Sequence, residues 1–111
     1  MNYVGAASSN RQIGEAVDYA REMTIMEDHQ ARARKLVFDY VKERLEKTDR
    51  HVTFGPDEVY VVWFSKVLQN WKALLSTTLP DGMYYEATYN GDKHEAYIDA
   101  YKKFDNICVP D

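Results

Sequence analysis

A single cysteine, three prolines and five glycines stand in a chain of 111 residues, and each scarcity excludes a class of protein. Cys108 has no second thiol to pair with, so no internal disulfide staples the chain, which suits a reducing compartment. Proline and glycine are few, and no low-complexity tract or solenoid-period repeat occurs. No run of about 18 apolar residues exists to form a membrane-spanning helix. The N-terminus lacks the basic region and apolar stretch of a signal peptide, so the expectation is a soluble cytoplasmic protein. HExxH and paired CxxC motifs are missing too, and His29, His51 and His94 are scattered, with no two at a spacing that puts ligands on one helix face. Metal, cofactor and catalytic residues are accordingly expected to be none.

What the chain does have is enough apolar residue, 45%, to bury the core of one domain. Its charge is uneven. Residues 1–80 carry 11 acidic and 11 basic side chains, whereas residues 81–111 carry 7 acidic and 3 basic, so the net charge of −4 arises wholly from the last segment. That sign repels a phosphate backbone and suits a basic partner.

The first half reads as helical. Ser9 with Gln12, and Thr24 with Glu27, each match a capping box, in which a hydroxyl caps the helix and the later side chain reaches back. Two helices over about 10–23 and 25–47 follow, with Ile13, Ala16, Val17 and Ala20 on one stripe and Ala33, Leu36, Val37, Tyr40, Val41 and Leu45 on the next. A single bent helix over 10–47 is the alternative. Residues 1–8 read as a loose end and Thr48 to Glu58 as the link into a sheet. Arg32, Arg34 and Lys35 spread over more than one helix face near Asp39, Glu43 and Glu46, which marks a solvated surface.

From Val59 onward the pattern is that of strands. Val59, Val61, Trp63 and Val67 alternate with Tyr60, Val62, Phe64 and Leu68, so the first strand is apolar on both sides and is expected to lie centrally or under cover. A hairpin at Gln69-Asn70 leads to a strand over 71–78, the rival being a helix over 63–76. In Leu79-Pro80-Asp81-Gly82, proline presets φ, aspartate bonds its own backbone and glycine supplies positive φ. Met83 to Tyr89 and Lys93 to Tyr101 then flank Asn90-Gly91, a strong hairpin signal. The fold class is α+β, one domain over 1–111: two N-terminal helices, within 9–48, packed on a four-stranded antiparallel meander over 59–108.

The hairpin sorts its side chains. Met83, Tyr85, Ala87, Tyr89, His94, Ala96, Ile98 and Ala100 form an apolar side, where His94 is expected to be packed. Tyr84, Glu86, Thr88, Glu95, Tyr97, Asp99 and Tyr101 form the other. A turn centred on Asn90-Gly91 sets Glu86 opposite Glu95, and a slip to Gly91-Asp92 sets it opposite Tyr97. Paired carboxylates could in principle serve acid–base hydrolysis, but a flat sheet face offers no cleft to exclude water. Cys108, with no lysine or arginine beside it, reads as an inert packed thiol.

The run LQNWKALLSTTLPDGMYYEATYNGDK, within Val59 to Asn106, and the preceding KLVFDYVKERLEKTD resemble an uncharacterised family of short proteins from phages and prophages of Gram-positive bacteria, over about residues 31–110. The resemblance implies a phage accessory protein acting in the bacterial cytoplasm and supplies no functional residues. With it, the face formed by Tyr84, Glu86, Glu95, Tyr97, Asp99 and Tyr101 is expected to bind a basic host protein, such as a nucleic-acid-binding effector of a guided defence system, in the manner of an anti-CRISPR inhibitor. Tyrosine supplies contact area at low entropy cost. Direct nucleic-acid binding is disfavoured because these aromatics are interleaved with carboxylates. A self-associating phage structural or accessory protein and a small enzyme or ligand binder are the alternatives, and the two-sided apolar first strand separately predicts a homodimer that covers its second face.

Overall fold

Thr24 sits inside a helix and does not start one. Its hydroxyl donates to the Ala20 carbonyl at 3.0 Å, the back-bond of a threonine within a helical run, and the expected break between two helices is absent. The computed structural model describes residues 6–48 and 51–111, with side chains at 18–21, 23–48 and 51–111. One helix, α1, runs Ala6–Thr48, followed by a single 3-10 turn at Pro56–Glu58 and the strands β1 Val59–Val67, β2 Asn70–Thr77, β3 Met83–Asn90 and β4 Glu95–Lys102. The expected cap at Ser9 falls within the helix, and of the expected loose end, residues 1–5 lie outside the described residues.

The sheet is an antiparallel meander in the order β1-β2-β3-β4, so the α+β expectation holds with one helix in place of two. Strand replaces the rival helix over 63–76. Helix α1 packs across β1, β2 and β3. Its Ala33, Val37 and Val41 are buried together with Val59, Trp71, Ala73, Leu75, Tyr85 and Ala87. The three alanines are fully covered, and small side chains of this kind let a helix approach a sheet closely, while Trp71 and Tyr85 fill the flanks. Beyond β3 the cover stops, and of β4 only Ile98 is half-buried. Ala96 and Ala100, expected to meet a core, lie open.

The first strand departs from expectation. It is an edge strand, not a central one, and its register shifts between Val61 and Trp63. Val62 is the extra residue of this bulge, which resets the alternation. Val59, Val61 and Phe64 therefore turn toward the helix, while Tyr60, Trp63 and Val67 turn to the far side, where no element among the described residues covers them. The two-sided apolar pattern reflects this parity change and an uncovered face.

The turns also move. Val67 pairs with Asn70, so the first hairpin loop is Leu68-Gln69, and Leu68 holds φ 54°. Gly82 has φ 68° and the Asp81 carboxylate accepts from the Met83 amide at 3.1 Å, as expected. In the last hairpin Asn90 pairs with Glu95, leaving a four-residue loop. Asn90 works through its side chain, which accepts from the Asp92 and Lys93 amides at 3.0 and 3.3 Å, and the positive φ falls on His94. His94 is thus an exposed loop residue, with Nδ1 3.4 Å from the Tyr89 hydroxyl, and not a packed one. Gly91 serves another purpose: a Cβ there would overlap the Gln69 carbonyl, because the two hairpin loops press together. Cys108 is exposed, which corrects the expectation of a packed thiol.

Glu58 ties the linker to the sheet. Its carboxylate accepts from the Gly55 amide at 2.7 Å and from the Thr78 hydroxyl at 2.9 Å. These bonds, the backbone one foremost, hold its carboxyl below the ordinary range. A depressed folded-state value contributes stability above the unfolded value that is lost as pH falls through the folded one. The difference in stability between the wild type and Glu58→Gln should therefore be present at neutral pH and close on acidification; a pH-independent difference in urea midpoints would reject the clamp. His29 behaves in the same sense. Burial, aided by Lys66 and Arg32 against Asp28, pushes its imidazole below the ordinary value, so its protonation in acid works against the packed state.

Candidate partner-binding face

Opposed residues of antiparallel strands share a face, and the register places four rows on the side away from α1. One row runs Tyr60, Ser76, Tyr84, Tyr101; the next Trp63, Leu74, Glu86, Asp99; the third Ser65, Lys72, Thr88, Tyr97. The fourth ends in Val67 opposite Asn70 and Asn90 opposite Glu95. All six residues singled out in the sequence therefore lie on one face, though in neither expected register: Glu86 stands opposite Asp99 and Tyr84 opposite Tyr101. The loop is longer by two residues than a tight turn, which leaves the faces unchanged and slides the pairs.

Their exposure is unequal. Glu95 and Asp99 are exposed, and Tyr97 and Tyr101 each keep 52% of their surface. Tyr84 and Glu86 are half-buried, a correction to the expectation that the whole set is open, because β3 is an interior strand whose side chains are flanked on both sides. Like charges opposed across a sheet weaken it by roughly 0.2–1 kcal/mol, and at Glu86 this is offset by Lys72, whose ammonium lies 3.3 Å from the carboxylate. On β4, Glu95 accepts a hydrogen bond from the Tyr97 hydroxyl. That bond, with the carboxylate charge behind it, raises the Tyr97 hydroxyl above its ordinary value.

The face has a second half that the alternation did not reveal. At the β1 edge Tyr60, Val62, Trp63, Val67 and Leu68 are all exposed. Trp63, Ser65, Val67, Lys72 and Thr88 line a shallow depression of about 380 Å³. The surface thus grades from apolar at β1 to acidic and phenolic at β4. The bulge at Val62 hid this, because it breaks the parity on which the strand's faces were assigned. Leu68 is the most telling member: it is 77% exposed and sits at a positive φ, where glycine is the favoured residue at the first position of such a loop. A left-handed leucine costs roughly 1–2 kcal/mol, and most of its side chain faces solvent.

A family model described as a family of unknown function, DUF6275, matches residues 30–111. The chain belongs to this family. Its matched segment takes in the whole sheet, the outer face and, His29 apart, the part of α1 that is covered by the sheet. The rest of the DUF6275 chain, residues 1–29, falls outside the match. No curated protein and no solved structure matches the chain. Among the described residues of this DUF6275 member, no three His, Cys, Asp or Glu side chains gather as a metal site, and no helix is long and apolar enough to cross a membrane.

Proposed function

We propose that this DUF6275 protein is a non-catalytic binding module of phage or prophage origin, whose outer sheet face docks on a basic host protein. The observation that supports it most is the left uncovered far side of the sheet, where Trp63, Val67 and Leu68 offer an apolar anchor beside the carboxylates and phenols of β4. Aromatic anchors surrounded by a polar rim are the anatomy of protein interfaces, and carboxylates spaced along a strand can occupy a channel lined by arginine and lysine. An effector of a nucleic-acid-guided defence system has such a channel and is the concrete target of the proposal, with inhibition by occupancy as the mechanism.

Leu68 provides the test. Replacing it by glycine should relieve the left-handed strain and raise stability by about 1 kcal/mol, while removing an exposed anchor. Immobilised protein should retain a basic protein from host lysate at low salt and release it as ionic strength rises. The Leu68→Gly variant should melt higher and retain less of that same protein. Retention unaffected by both salt and the substitution would reject the face.

A further inference from the structure

Helix α1 is far longer than its sheet. Its 43 residues rise about 64 Å at 1.5 Å per residue, close to the molecule's 65 Å long dimension. The radius of gyration of 19.8 Å compares with about 13 Å for a compact domain of this length. Cover on the helix begins at His29 and Gln30 and is complete at Ala33. Every described side chain from Asp18 to Asp28 is exposed, including Tyr19 at 67%, Met23 and Met26. Positions 19, 23 and 26 continue through 30, 33, 37 and 40 in alternating steps of four and three, so the exposed arm bears the same stripe that the other half buries. Ile25 and Met26 border a cleft with Phe64 and Lys66 of β1, and beyond them a helix with an exposed apolar stripe is marginal in water. The family match begins at residue 30, next to His29, where the cover begins.

A vacant seat of matching kind lies on the same side of the sheet. Ala96, Ile98 and Ala100 of β4 face the α1 side with only Ile98 half-buried, and small side chains admit a helix closely. The flank of α1 above this strip is cationic: the Arg32 guanidinium lies 4.5 Å from the centre of the Tyr89 ring of β3. Arg44 lies over Tyr40, which meets Tyr85 of β3 edge-on. Charge along α1 is divided in the complementary way. Residues 18–28 hold four carboxylates and one arginine, net −3, and residues 30–48 hold six cations and three carboxylates, net +3.

We propose that the arm over residues 6–28 docks on the open β4 strip of a second copy of this chain, antiparallel to that copy's α1, and that the exchange is mutual about a twofold axis. Antiparallel placement sets each acidic arm beside the other copy's basic half, whereas parallel placement would oppose like charges. The eight residues of β4 span about 27 Å and a helix is about 10 Å wide, so each arm covers about 270 Å² of the strip. Counted on both surfaces and for both arms this is about 1,100 Å², above the roughly 1,000 Å² that a specific interface needs. A twofold axis normal to the sheets leaves both outer faces on the same side, free to bind together.

The test uses the full chain. Light scattering should give twice the 13.0 kDa chain mass, falling toward a single chain on dilution or at high salt. The seat variant Ala100→Glu and the arm variant carrying Asp18→Lys with Asp28→Lys should each be monomeric and folded by circular dichroism, since all three positions are exposed. Mixed together they should associate more than either does alone, because one native arm then meets one native seat while the cationic arm meets the acidified seat. A single-chain mass for the wild type at high concentration, dimers in both variants, or no recovery on mixing would overturn the proposal.

Discussion

Truncating Trp71 to alanine should destabilise the protein by about 3–5 kcal/mol, enough to threaten a domain of this size. Replacement by phenylalanine should cost clearly less, because the remaining ring leaves a smaller cavity. Trp71 is 2% exposed and joins an aromatic group at the hairpin end of the core. Its ring lies 5.7 Å from that of Tyr89, 5.9 Å from Phe64 and 6.0 Å from His29. Alanine would leave a cavity bounded by rings that cannot collapse into it. Phenylalanine keeps most of the ring and deletes the indole Nε1, which is buried with no hydrogen-bond partner. An unpaired buried donor carries a penalty of roughly 1–3 kcal/mol, so its removal offsets the lost area. Urea midpoints of the two variants check this, and a phenylalanine variant as damaged as the alanine one would show that the indole nitrogen is satisfied.

The meander was legible because its signals are local. Pro80-Asp81-Gly82 places its turn by backbone chemistry, Asn90 holds the last loop through its side chain, and the apolar alternation of β2 and β3 fixes which side meets the helix. What misled was non-local. Thr24 and Glu27 have the residue types of a capping box, yet a threonine can equally back-bond within a helix, and the two outcomes share one local pattern. The bulge at Val62 leaves no mark in a strand made wholly of apolar residues, so the uncovered side of β1 passed for a buried one. Leu68 at positive φ contradicts residue preference outright, and local preferences tend to fail at functional or strained sites.

The candidate face was legible in membership and not in register. Side-chain parity depends only on whether the loop length is odd or even, and the four-residue loop preserves the parity of a two-residue one. Pairing depends on the full length, which the Asn90 side chain sets by accepting from two later amides. Hence the six residues share a face as expected, while Glu86 meets Asp99. The apolar half of the same face, which includes Trp63 and Leu68, needed the tertiary structure, because only the position of β1 at the sheet edge shows that nothing covers it.

Reversing Glu95 and Asp99 to lysine should leave the fold at least as stable and weaken capture of a basic partner by more than about tenfold, the equivalent of about 1.4 kcal/mol. Both side chains are exposed, so neither supports the core. Asp99 stands opposite Glu86; a lysine there turns a repulsive cross-strand pair into an attractive one, a gain of roughly 0.2–1 kcal/mol. At an interface the same change works the other way, since like charges brought together cost several kcal/mol. The loss should fall mainly on the association rate and shrink as salt rises, because long-range attraction between exposed charges is screened beyond about 10 Å at 0.1 M. A spectroscopic control is built in: without the Glu95 carboxylate, the Tyr97 hydroxyl loses the bond that raises it and should ionise at lower pH in an ultraviolet titration. If that titration moves, the fold holds and capture is unchanged at low salt, then the acidic rim is ordinary wet surface and binding, if any, rests on the apolar β1 edge.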